Sequence, residues 1–444
     1  MRFLASELAT HLGAEITGPD VAVEGASIDS RTLRAGQLYV PIVANRDGHT
    51  FIPAALETGA PAYLTSQDPL GATAIRVPDT AAALLALGAL ARERVAAAIG
   101  ITGSVGKTTT KDLLAGCLAT TFTATASDRS FNNELGLPLT LMGAREGTGW
   151  VVLEMGVRHS GDITRLCSVA RPEVGVLTSV QMAHVEFLGD LNGVARAKGE
   201  LVSALPASGV AVLNQDDPRV RAMAALGACP VLGYAVTAPA DVRAENVTLD
   251  RELRARFRLA SPWGRADIQL ALHGAHQIHN ALAAAAAALW CGVPIEAVAE
   301  ALGANRGSPW RMEVQHQQDG PSLIVDCFNS VPASAEAAVR ALAALPARRR
   351  LALLGLMAEL GVHGEPEHRR IARLARELGI EVVGYQTSLY GDARVDGTDD
   401  AVALMRELSS GDACLIKGSR VARLEDVMAA YAREEQPQSG GVDA

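Results

Sequence analysis

Short apolar runs alternate with helix-like segments along most of the chain, and this pattern is clearest in its middle part. Four nearly continuous apolar runs lie there, at residues 99–102, 150–153, 174–178 and 210–213. Such runs are typical of strands in a parallel sheet that helices cover on both faces. Polar and apolar residues then alternate at 254–259 and 267–272 around Ser-Pro-Trp-Gly, which predicts a hairpin. An alanine-rich run at 280–290 predicts a tightly packed helix.

The parts before and after this region combine the same kinds of element differently. In the first part the predicted helices are 4–12, 51–58 and 80–97, and the predicted strands are 21–28, 37–43 and 62–64. From residue 307 a second regular alternation begins. It predicts strands at 323–328, 351–354, 381–385 and 413–416 and helices at 333–345, 367–378, 400–408 and 423–433.

These patterns together predict an α/β protein of three domains, which fits a length of 444 residues. Residues 1–95 would form a small mixed α/β domain. Residues 96–306 would form a central domain with a mainly parallel sheet, and residues 307–434 a doubly wound α/β domain. The polar residues 435–444 are expected to be a disordered tail.

Composition excludes several classes of function. The 40 basic residues are outnumbered by 49 acidic ones, and a net charge of -9 disfavours binding to nucleic acid or to an anionic membrane surface. No apolar run reaches about 18 residues, so no membrane span is predicted, and the N-terminus lacks the apolar core of a signal peptide. The six cysteines form no CxxC pair, which predicts reduced core thiols in a cytoplasmic protein.

Lysine is rare in this chain. Only four of the 40 basic residues are lysines, namely Lys107, Lys111, Lys198 and Lys417. A chain that otherwise uses arginine for positive charge keeps lysine where a compact primary amine matters. Lys111, which follows the start of a predicted helix, is the one expected to have survived by chance. The other three are candidates for functional groups.

The strongest motif follows the apolar strand 99–102 and opens a helix, which is the context of a phosphate-binding loop. Its candidate nucleotide-binding residues are Gly103, Ser104, Val105, Gly106, Lys107, Thr108 and Thr109. The glycines let backbone N–H groups surround a phosphate, and the helix N-terminus adds its dipole. Lys107 would reach the β- and γ-phosphates, and the Thr108 hydroxyl would ligate Mg²⁺. Ile101 stands where the standard pattern has its first glycine, so this loop is a shortened variant.

Polar residues follow other predicted strands at comparable positions. Glu154 ends one strand and His184 follows another, and the carboxyl ends of parallel strands line one crevice. With Thr108, they could hold a divalent metal ion. Lys198 lies on a predicted helix shortly after His184, and as an ammonium group it would be repelled by that ion. Its amine could instead capture CO₂ and become a carbamate, an oxygen ligand; the alternative is a surface lysine.

These residues and further motifs along the chain resemble the Mur ligases. The shared motifs are Asp29-Ser-Arg31, Asp47-Gly-His49, the phosphate loop, FNNELGLP from Phe131, Glu154-Met-Gly156, Ala183-His184, Ala197-Lys-Gly-Glu200, LNQDD from Leu213, His276 with Asn280, Arg311-Met-Glu313, Asp326 with Asn329, MAELG from Met357, and Lys417-Gly-Ser-Arg420. The ordered set covers essentially the whole chain and is specific to this family. The asparagine pair and the last two motifs point to the branch that joins D-alanyl-D-alanine to UDP-N-acetylmuramoyl-tripeptide.

The resemblance implies an ATP-dependent amide ligase of peptidoglycan precursor synthesis that uses Mg²⁺ and forms an acyl phosphate. It implies that the N-terminal domain binds the UDP-sugar, that the central P-loop ATPase domain binds ATP, and that a C-terminal Rossmann-like domain binds the amine and closes on ATP. The implied partners are the two small-molecule substrates, without nucleic acid, and the protein is expected to be a monomer.

The resemblance also implies roles for residues that match the family's motifs. The implied metal ligands are Thr108, Glu154, His184 and a carbamylated Lys198, while Lys107 binds the ATP phosphates. Asn133 would lie near the phosphates or the reacting carboxylate. For the nucleotide, Asn280 with His276 nearby is implied at the base, Arg311 at the phosphates and Asp326 at the ribose. For the other substrate, the implied residues are Ser30, Arg31 and His49 at the uridine diphosphate and Arg158 at the peptide stem.

Several residues depart from the family's pattern, among them Gln277, Ser179, Phe328, Val331 and Leu356. The last three lie in the part that would handle the amine. A first alternative is therefore a ligase of the same family that joins a different amine or carboxylate. A second is a nucleotide-binding regulatory protein that has lost ligation. The intact phosphate and metal residues argue against the second alternative.

Overall fold

The structure, a computed structural model, describes residues 1–128, 131–318 and 320–435, and the predicted α/β class is confirmed. Three main sheets of five, nine and six strands are formed, one from each predicted part of the chain, and the first part also contains a two-stranded sheet. The boundaries at 95/96 and 306/307 stay predictions. The predicted tail lies outside the described residues from residue 436 onward, and Glu435 is the last residue of the final helix.

The first sheet is small and mixed. Its part of the chain contains strands β1 Arg2–Leu4, β2 Glu15–Thr17, β3 Ala22–Glu24, β4 Ala26–Ser27, β5 Leu38–Tyr39, β6 Ala62–Thr65 and β7 Thr73–Arg76, and helices α1 Ala5–Leu12, α2 Ile52–Glu57 and α3 Thr80–Arg92. Five strands lie in the order β2-β7-β6-β5-β4, whereas β1 pairs with β3. Helix α3 is shorter than the predicted 80–97, because the N–H groups of Ala96 and Ala97 donate to the carbonyls of Thr148 and Gly149 and so begin the next strand.

The central sheet has nine strands: β8 Ala97–Thr102, β9 Ala124–Ala126, β10 Trp150–Glu154, β11 Val174–Leu177, β12 Val210–Asn214, β13 Val231–Ala235, β14 Val242–Leu249, β15 Arg254–Ser261 and β16 Gly264–His273. Their order is β16-β15-β14-β13-β12-β11-β8-β10-β9. Pairing is parallel from β9 to β14, and the predicted hairpin β15–β16 adds two antiparallel strands. Strand β8, which leads into the phosphate loop, therefore lies between β10 and β11.

Helices cover both faces of the central sheet. They are α4 Lys107–Ala119, α5 Gly136–Met142, α6 Asp162–Ala170, α7 Val185–Leu188, α8 Leu191–Ser203, α9 Pro218–Ala222, α10 Gln277–Trp290 and α11 Ile295–Ala304. The alanine-rich helix α10 is buried as predicted and packs against α4. Its small side chains allow this close approach, which places the N-terminus of α10 beside the phosphate loop.

The third sheet confirms the predicted second alternation. Its strands are β17 Glu313–His316, β18 Ser322–Asp326, β19 Arg350–Leu354, β20 Glu381–Tyr385, β21 Arg394–Val395 and β22 Ala413–Lys417, in the order β17-β18-β22-β19-β20-β21. All pairs are parallel except β17–β18. The helices are α12 Pro332–Ala344, α13 Gly364–Glu377, α14 Thr398–Arg406 and α15 Leu424–Glu435. Within the described residues, no helix combines the length and the apolar character needed to cross a bilayer.

Candidate functional site

A cavity of about 770 Å³, called here the central cavity, lies where the carboxyl ends of the central strands face the third sheet. One wall consists of the phosphate loop, the residues after β10, β11 and β12, and the N-terminus of α10. The opposite wall consists of the segments around Arg311, Phe328, Glu359 and Arg420. The central part of the chain and the part that forms the third sheet thus contribute side chains to one site. Its position at the carboxyl ends of parallel strands is the one where ligands bind in open α/β sheets.

The phosphate loop adopts a backbone that requires glycine at two positions. Gly103 has φ +153° and Gly106 has φ +87°. A Cβ atom on Gly103 would lie 1.8 Å from Thr178 Oγ1, and one on Gly106 would lie 2.3 Å from Asn280 Oδ1. Lys107 Nζ donates to the Gly103 carbonyl at 2.8 Å, which folds this side chain back over the loop. Burial lowers the pKa of the Lys107 amine.

The Gly106→Ala variant should lose nucleotide binding. A methyl group would push Asn280 away and displace the N–H groups that face a phosphate. Losing charge-assisted hydrogen bonds worth about 2–3 kcal/mol corresponds to an ADP affinity reduced by about 100-fold, measured by calorimetry. Gly161→Ala is the matched control, because Gly161 is also a helix N-cap, with φ 93° and ψ -13° against 87° and -12°, and its Cβ would meet open space. Equal ADP affinities of the two variants would contradict the prediction.

Thr108 and Glu154 form the core of the site. The Thr108 hydroxyl donates to Glu154 Oε2 at 2.8 Å, and Asn132 Nδ2 donates to Glu154 Oε1 at 2.9 Å. Arg311 Nη2, from the other side of the central cavity, donates to Thr108 Oγ1 at 3.1 Å. The structure therefore brings a hydroxyl, a carboxylate and a guanidinium together at the first turn of α4.

This donor set fits Mg²⁺ bound together with phosphates. The part of the chain that the structure describes contains no group of three or more His, Cys, Asp or Glu residues arranged as a metal cage. Mg²⁺ does not need one, because it usually keeps several waters and binds one or two carboxylates together with substrate phosphates. The hydroxyl of Thr108 and the buried carboxylate of Glu154 are such oxygen donors.

The two asparagines of the FNNELGLP motif make different contacts. Asn132, which the sequence did not single out by itself, lines the central cavity and contacts Glu154. Asn133, the predicted site residue, is exposed, and its Oδ1 accepts from the N–H groups of Leu135 and Gly136 at the start of α5. The structure thus places Asn133 at the start of α5 and not in the lining of the central cavity, and its role at the phosphates stays a prediction. Both residues belong to the FNNELGLP motif. The motif therefore identifies the loop, but it does not show which of the two asparagines contacts Glu154.

His184 is held from the opposite wall by a residue that sequence reasoning did not select. Its Nδ1 is in hydrogen-bond contact with Glu359 Oε2, and Arg158 Nη2 donates to Glu359 Oε1 at 2.8 Å. The hydrogen bond to His184 is the main cause that lowers the pKa of Glu359. The predicted residues His184 and Arg158 therefore meet at one carboxylate. The signal for Glu359 was present in the sequence, in the MAELG motif.

Lys198 lies in the central part of the chain and is buried, with 1% of its surface exposed. Burial, reinforced by the positive charge of Lys107, holds the pKa of the Lys198 amine well below its usual value, while the charge of Glu154 acts in the opposite direction. The surface-lysine alternative is thereby excluded. Lys417 is equally buried, but its Nζ donates to Asp326 Oδ2 at 2.6 Å. Asp326, predicted at the ribose, is therefore also the partner of a buried ammonium group.

The N-terminus of α10 supplies a further wall of the central cavity. Asn280 donates to Gln277 Oε1 at 2.8 Å and is buried beside Gly106. Asp216, from the LNQDD motif, accepts from the N–H groups of Val236 and Ala238 and contacts the His279 ring at 2.9 Å. Burial opposes the ionisation of Asp216, but the hydrogen bonds outweigh it and lower its pKa to about 2.

His276 should make the stability of the protein depend on pH. Burial lowers the pKa of its ring from 6.5 to about 4. The unfolded chain therefore binds more protons between these two values, so the free energy of unfolding falls as the pH is lowered from about 6.5 to about 4, and the contribution is fully present at higher pH. Urea unfolding at pH 7.5 and 4.5 should show a smaller loss for His276→Asn than for the wild type. An equal loss would contradict the prediction.

The wall contributed by the third sheet combines arginines with aromatic rings. The Arg311 guanidinium lies 4.2 Å from the centre of the Phe328 ring, and that of Arg420 lies 5.0 Å from the Trp310 ring. Phe328 is one of the departures from the family's pattern, and it stacks on the same arginine that reaches Thr108. Its ring therefore helps to hold Arg311 in place.

The three candidates from the first part of the chain do not line the central cavity. The Arg31 side chain is 86% exposed and pairs with Asp29 at 2.7 Å, next to Ser30. The His49 ring is buried, with Nδ1 2.6 Å from Asp47 Oδ1, and the Ser66 N–H donates to Nε2 at 3.1 Å. Both nitrogens of His49 are thus engaged by residues of the first part of the chain. Roles for these residues at a second substrate stay predictions.

Comparison with known proteins matches most of the chain to described families. Residues 101–288 match the Mur ligase middle domain, and residues 310–420 match the Mur ligase, glutamate ligase domain. The UDP-N-acetylmuramoyl-tripeptide–D-alanyl-D-alanine ligase of Mycobacterium tuberculosis is 38% identical over 95% of both chains. That of Escherichia coli is 33% identical over 96% of this chain and 97% of the relative.

Solved structures agree with these matches. MurF from Acinetobacter baumannii has a TM-score of 0.87 at 26% identity and covers 98% of this chain and 99% of its own. MurF from Thermotoga maritima, solved in complex with ADP, has a TM-score of 0.80 at 25% identity and covers 93% of this chain and 98% of its own. Both matches therefore extend over nearly the whole chain.

Proposed function

This chain belongs to the Mur ligase family, and from that premise we propose that it joins D-alanyl-D-alanine to UDP-N-acetylmuramoyl-tripeptide, converting ATP to ADP and phosphate. The observation that carries the proposal is 38% identity, over 95% of the chain, to the UDP-N-acetylmuramoyl-tripeptide–D-alanyl-D-alanine ligase of Mycobacterium tuberculosis. The central cavity supports it, because the phosphate loop and the third sheet face each other there and can bring ATP and two further substrates together.

The chemistry proceeds in two steps. An oxygen of the substrate carboxylate attacks the γ-phosphorus, so that an acyl phosphate forms and the bond to ADP breaks. The amine then attacks the acyl carbon, a C–N bond forms, phosphate leaves and the amine loses a proton. Lys107 and Arg311 would neutralise charge that spreads over the phosphoryl oxygens in the first step, and their contacts with Gly103 and Thr108 of the phosphate loop support this role. Closure of the two walls would keep water from the acyl phosphate.

Mg²⁺ is proposed to be held by Thr108, Glu154, His184 and a carbamylated Lys198, and when bound it neutralises phosphate charge. The carbamate forms when the Lys198 nitrogen bonds to the carbon of CO₂ and releases a proton. Burial of Lys198 supports this, because an uncharged amine is the form that reacts with CO₂. A buried ammonium without an anionic partner would also be costly, and the carbamate removes that positive charge.

The remaining roles follow the family's pattern. Asn280, with His276 nearby, is proposed to contact the base, and Asp326 the ribose. Asn132 is the asparagine whose position favours contact with phosphates, whereas Asn133 would need to give up its hydrogen bonds with the N–H groups of Leu135 and Gly136. Arg158 is proposed to contact the peptide stem, which its place at the rim beside Glu359 supports. Ser30, Arg31 and His49 are proposed to seat the uridine diphosphate within a substrate domain of residues 1–95.

Phosphate release from Mg-ATP tests the proposal, with and without each substrate, and mass spectrometry identifies the product. Release that needs both UDP-N-acetylmuramoyl-tripeptide and D-alanyl-D-alanine, together with the mass of the pentapeptide product, is the expected result. Turnover with another amine only would favour the first alternative and would assign Phe328, Val331 and Leu356 to the changed specificity. ATP binding without turnover on any amine would overturn ligation.

A further inference from the structure

Both carboxylate oxygens of Glu359 contact residues of the central part of the chain. It follows strand β19 of the third sheet, whereas its partners His184 and Arg158 follow strands β11 and β10 of the central sheet. Oε2 contacts the His184 ring, and Oε1 accepts from Arg158 at 2.8 Å. One carboxylate thus connects two predicted domains at the rim of the central cavity.

The backbone supports the same contact. The Glu186 N–H donates to the Glu359 carbonyl at 3.4 Å, and a Cβ atom on Gly361 would lie 3.6 Å from Glu186 Cα. His184 and Glu359 both have left-handed backbone conformations, with φ +57° and +60°. Such conformations cost on the order of 1 kcal/mol for residues other than glycine and persist where the surroundings determine them. The two strained residues that face each other therefore form a defined contact.

The chemistry of this contact determines the state of the imidazole. An ionised carboxylate only accepts hydrogen bonds, so Nδ1 of His184 must carry the proton that it shares with Glu359. Nε2 then keeps its lone pair, which is the form of histidine that binds a metal ion. Arg158 fixes the same carboxylate from its other side and favours its ionised form.

We infer that Glu359 is a positioning residue: it selects the Nδ1–H tautomer of His184 and orients the ring, so that contact between the two walls of the central cavity completes a metal site. The inference rests on the proposed function in so far as His184 is taken to be a metal ligand. It adds a residue of the third sheet to a site whose proposed ligands all lie in the central part. It also implies that closure of the two walls of the central cavity completes the metal site, because His184 has its carboxylate partner only when the walls meet.

Nitrogen-15 NMR of histidine-labelled protein without substrates at pH 8.5 reads the tautomer directly. The chain has ten histidines, and the His184 signals are assigned by their absence in His184→Asn. We expect the Nδ1–H tautomer in the wild type and a loss of this preference in Glu359→Ala. An Nε2–H tautomer or a doubly protonated ring in the wild type would overturn the inference, whatever reaction the protein catalyses.

Binding of Mn²⁺ in the presence of ADP, followed by electron paramagnetic resonance, gives a second readout that does not depend on turnover. Loss of a residue that orients a metal-bound histidine typically lowers metal affinity by about 10–100-fold, which is the expected result for Glu359→Gln. Glu186→Gln is the matched control, because it removes an exposed carboxylate two residues from His184. Unchanged affinity in Glu359→Gln, or an equal loss in both variants, would overturn the inference.

Glu359→Asp keeps the carboxylate, so we expect it to recover part of the Mn²⁺ affinity. If Glu359→Gln fails to fold, Glu359→Asp is measured in its place. No recovery of Mn²⁺ affinity in a folded aspartate variant would count against positioning by the carboxylate. None of these measurements uses the carboxylate or amine substrate. Their failure is therefore distinct from failure of the proposed ligase reaction.

Discussion

Lys198→Ala should abolish ligation while the protein remains folded, and added acetate or formate should restore part of the activity. The buried amine of Lys198 is proposed to become a carbamate that supplies an anionic oxygen beside Glu154. Metal ions contribute several kcal/mol to charge stabilisation in phosphoryl transfer, so loss of a ligand should lower kcat by about 10³-fold. Phosphate release with both substrates measures the rate.

Arg196→Ala is the control for this experiment, because Arg196 lies on the same helix α8 and is exposed. It should retain the wild-type rate. A small carboxylate can occupy the space that the shortened side chain leaves, whereas an added amine of similar size cannot supply the missing negative oxygen. Full activity of Lys198→Ala would contradict the carbamate role. An inactive variant that no carboxylic acid restores would limit Lys198 to a structural role.

Arg311→Ala should lower kcat by about 10³-fold, the lower end of the range for an arginine that neutralises a transferring phosphoryl group. Arg311 Nη2 reaches Thr108 Oγ1, and within the described residues its buried Nε has no hydrogen-bond partner. A buried donor of this kind costs about 1–3 kcal/mol unless an acceptor such as a phosphate oxygen satisfies it. Single-turnover measurement of acyl phosphate formation isolates the step that should slow down.

Arg311→Lys should recover only a minor part of the rate, because an ammonium group lacks the planar fork and stacks less well on Phe328. Arg306→Ala is the control, since Arg306 is an exposed arginine five residues earlier in the same connecting segment. Its rate should equal that of the wild type. If Arg311→Ala changed only the KM for ATP and left kcat intact, Arg311 would contribute to ground-state binding and not to the transition state.

Much of the fold and part of the site could be predicted from local pattern. The apolar runs 99–102 and 150–153 became neighbouring parallel strands, and the glycines of the phosphate loop took the backbone that their spacing predicted. The strands that were not predicted are β1, β2, β7, β9, β13, β14, β17 and β21. All of them except β14 are only two to five residues long, and β14 was not separated from the connecting segment around it. Their pairing comes from neighbouring strands that supply hydrogen-bond partners, which a local pattern does not contain.

The sequence by itself determined the three-part α/β organisation, the phosphate loop and the small set of lysines that could carry chemistry. These depend on periodicity, on the conformational freedom of glycine and on the chemistry of single side chains, all of which can be recognised within a few residues. Only the tertiary structure decided that Asn132 and not Asn133 contacts Glu154, and that His184 meets Glu359. The last pair is 175 residues apart, and Arg311 and Thr108 are 203 apart. Such contacts depend on how two walls that are distant in the sequence face each other, and no local pattern in the chain encodes that arrangement.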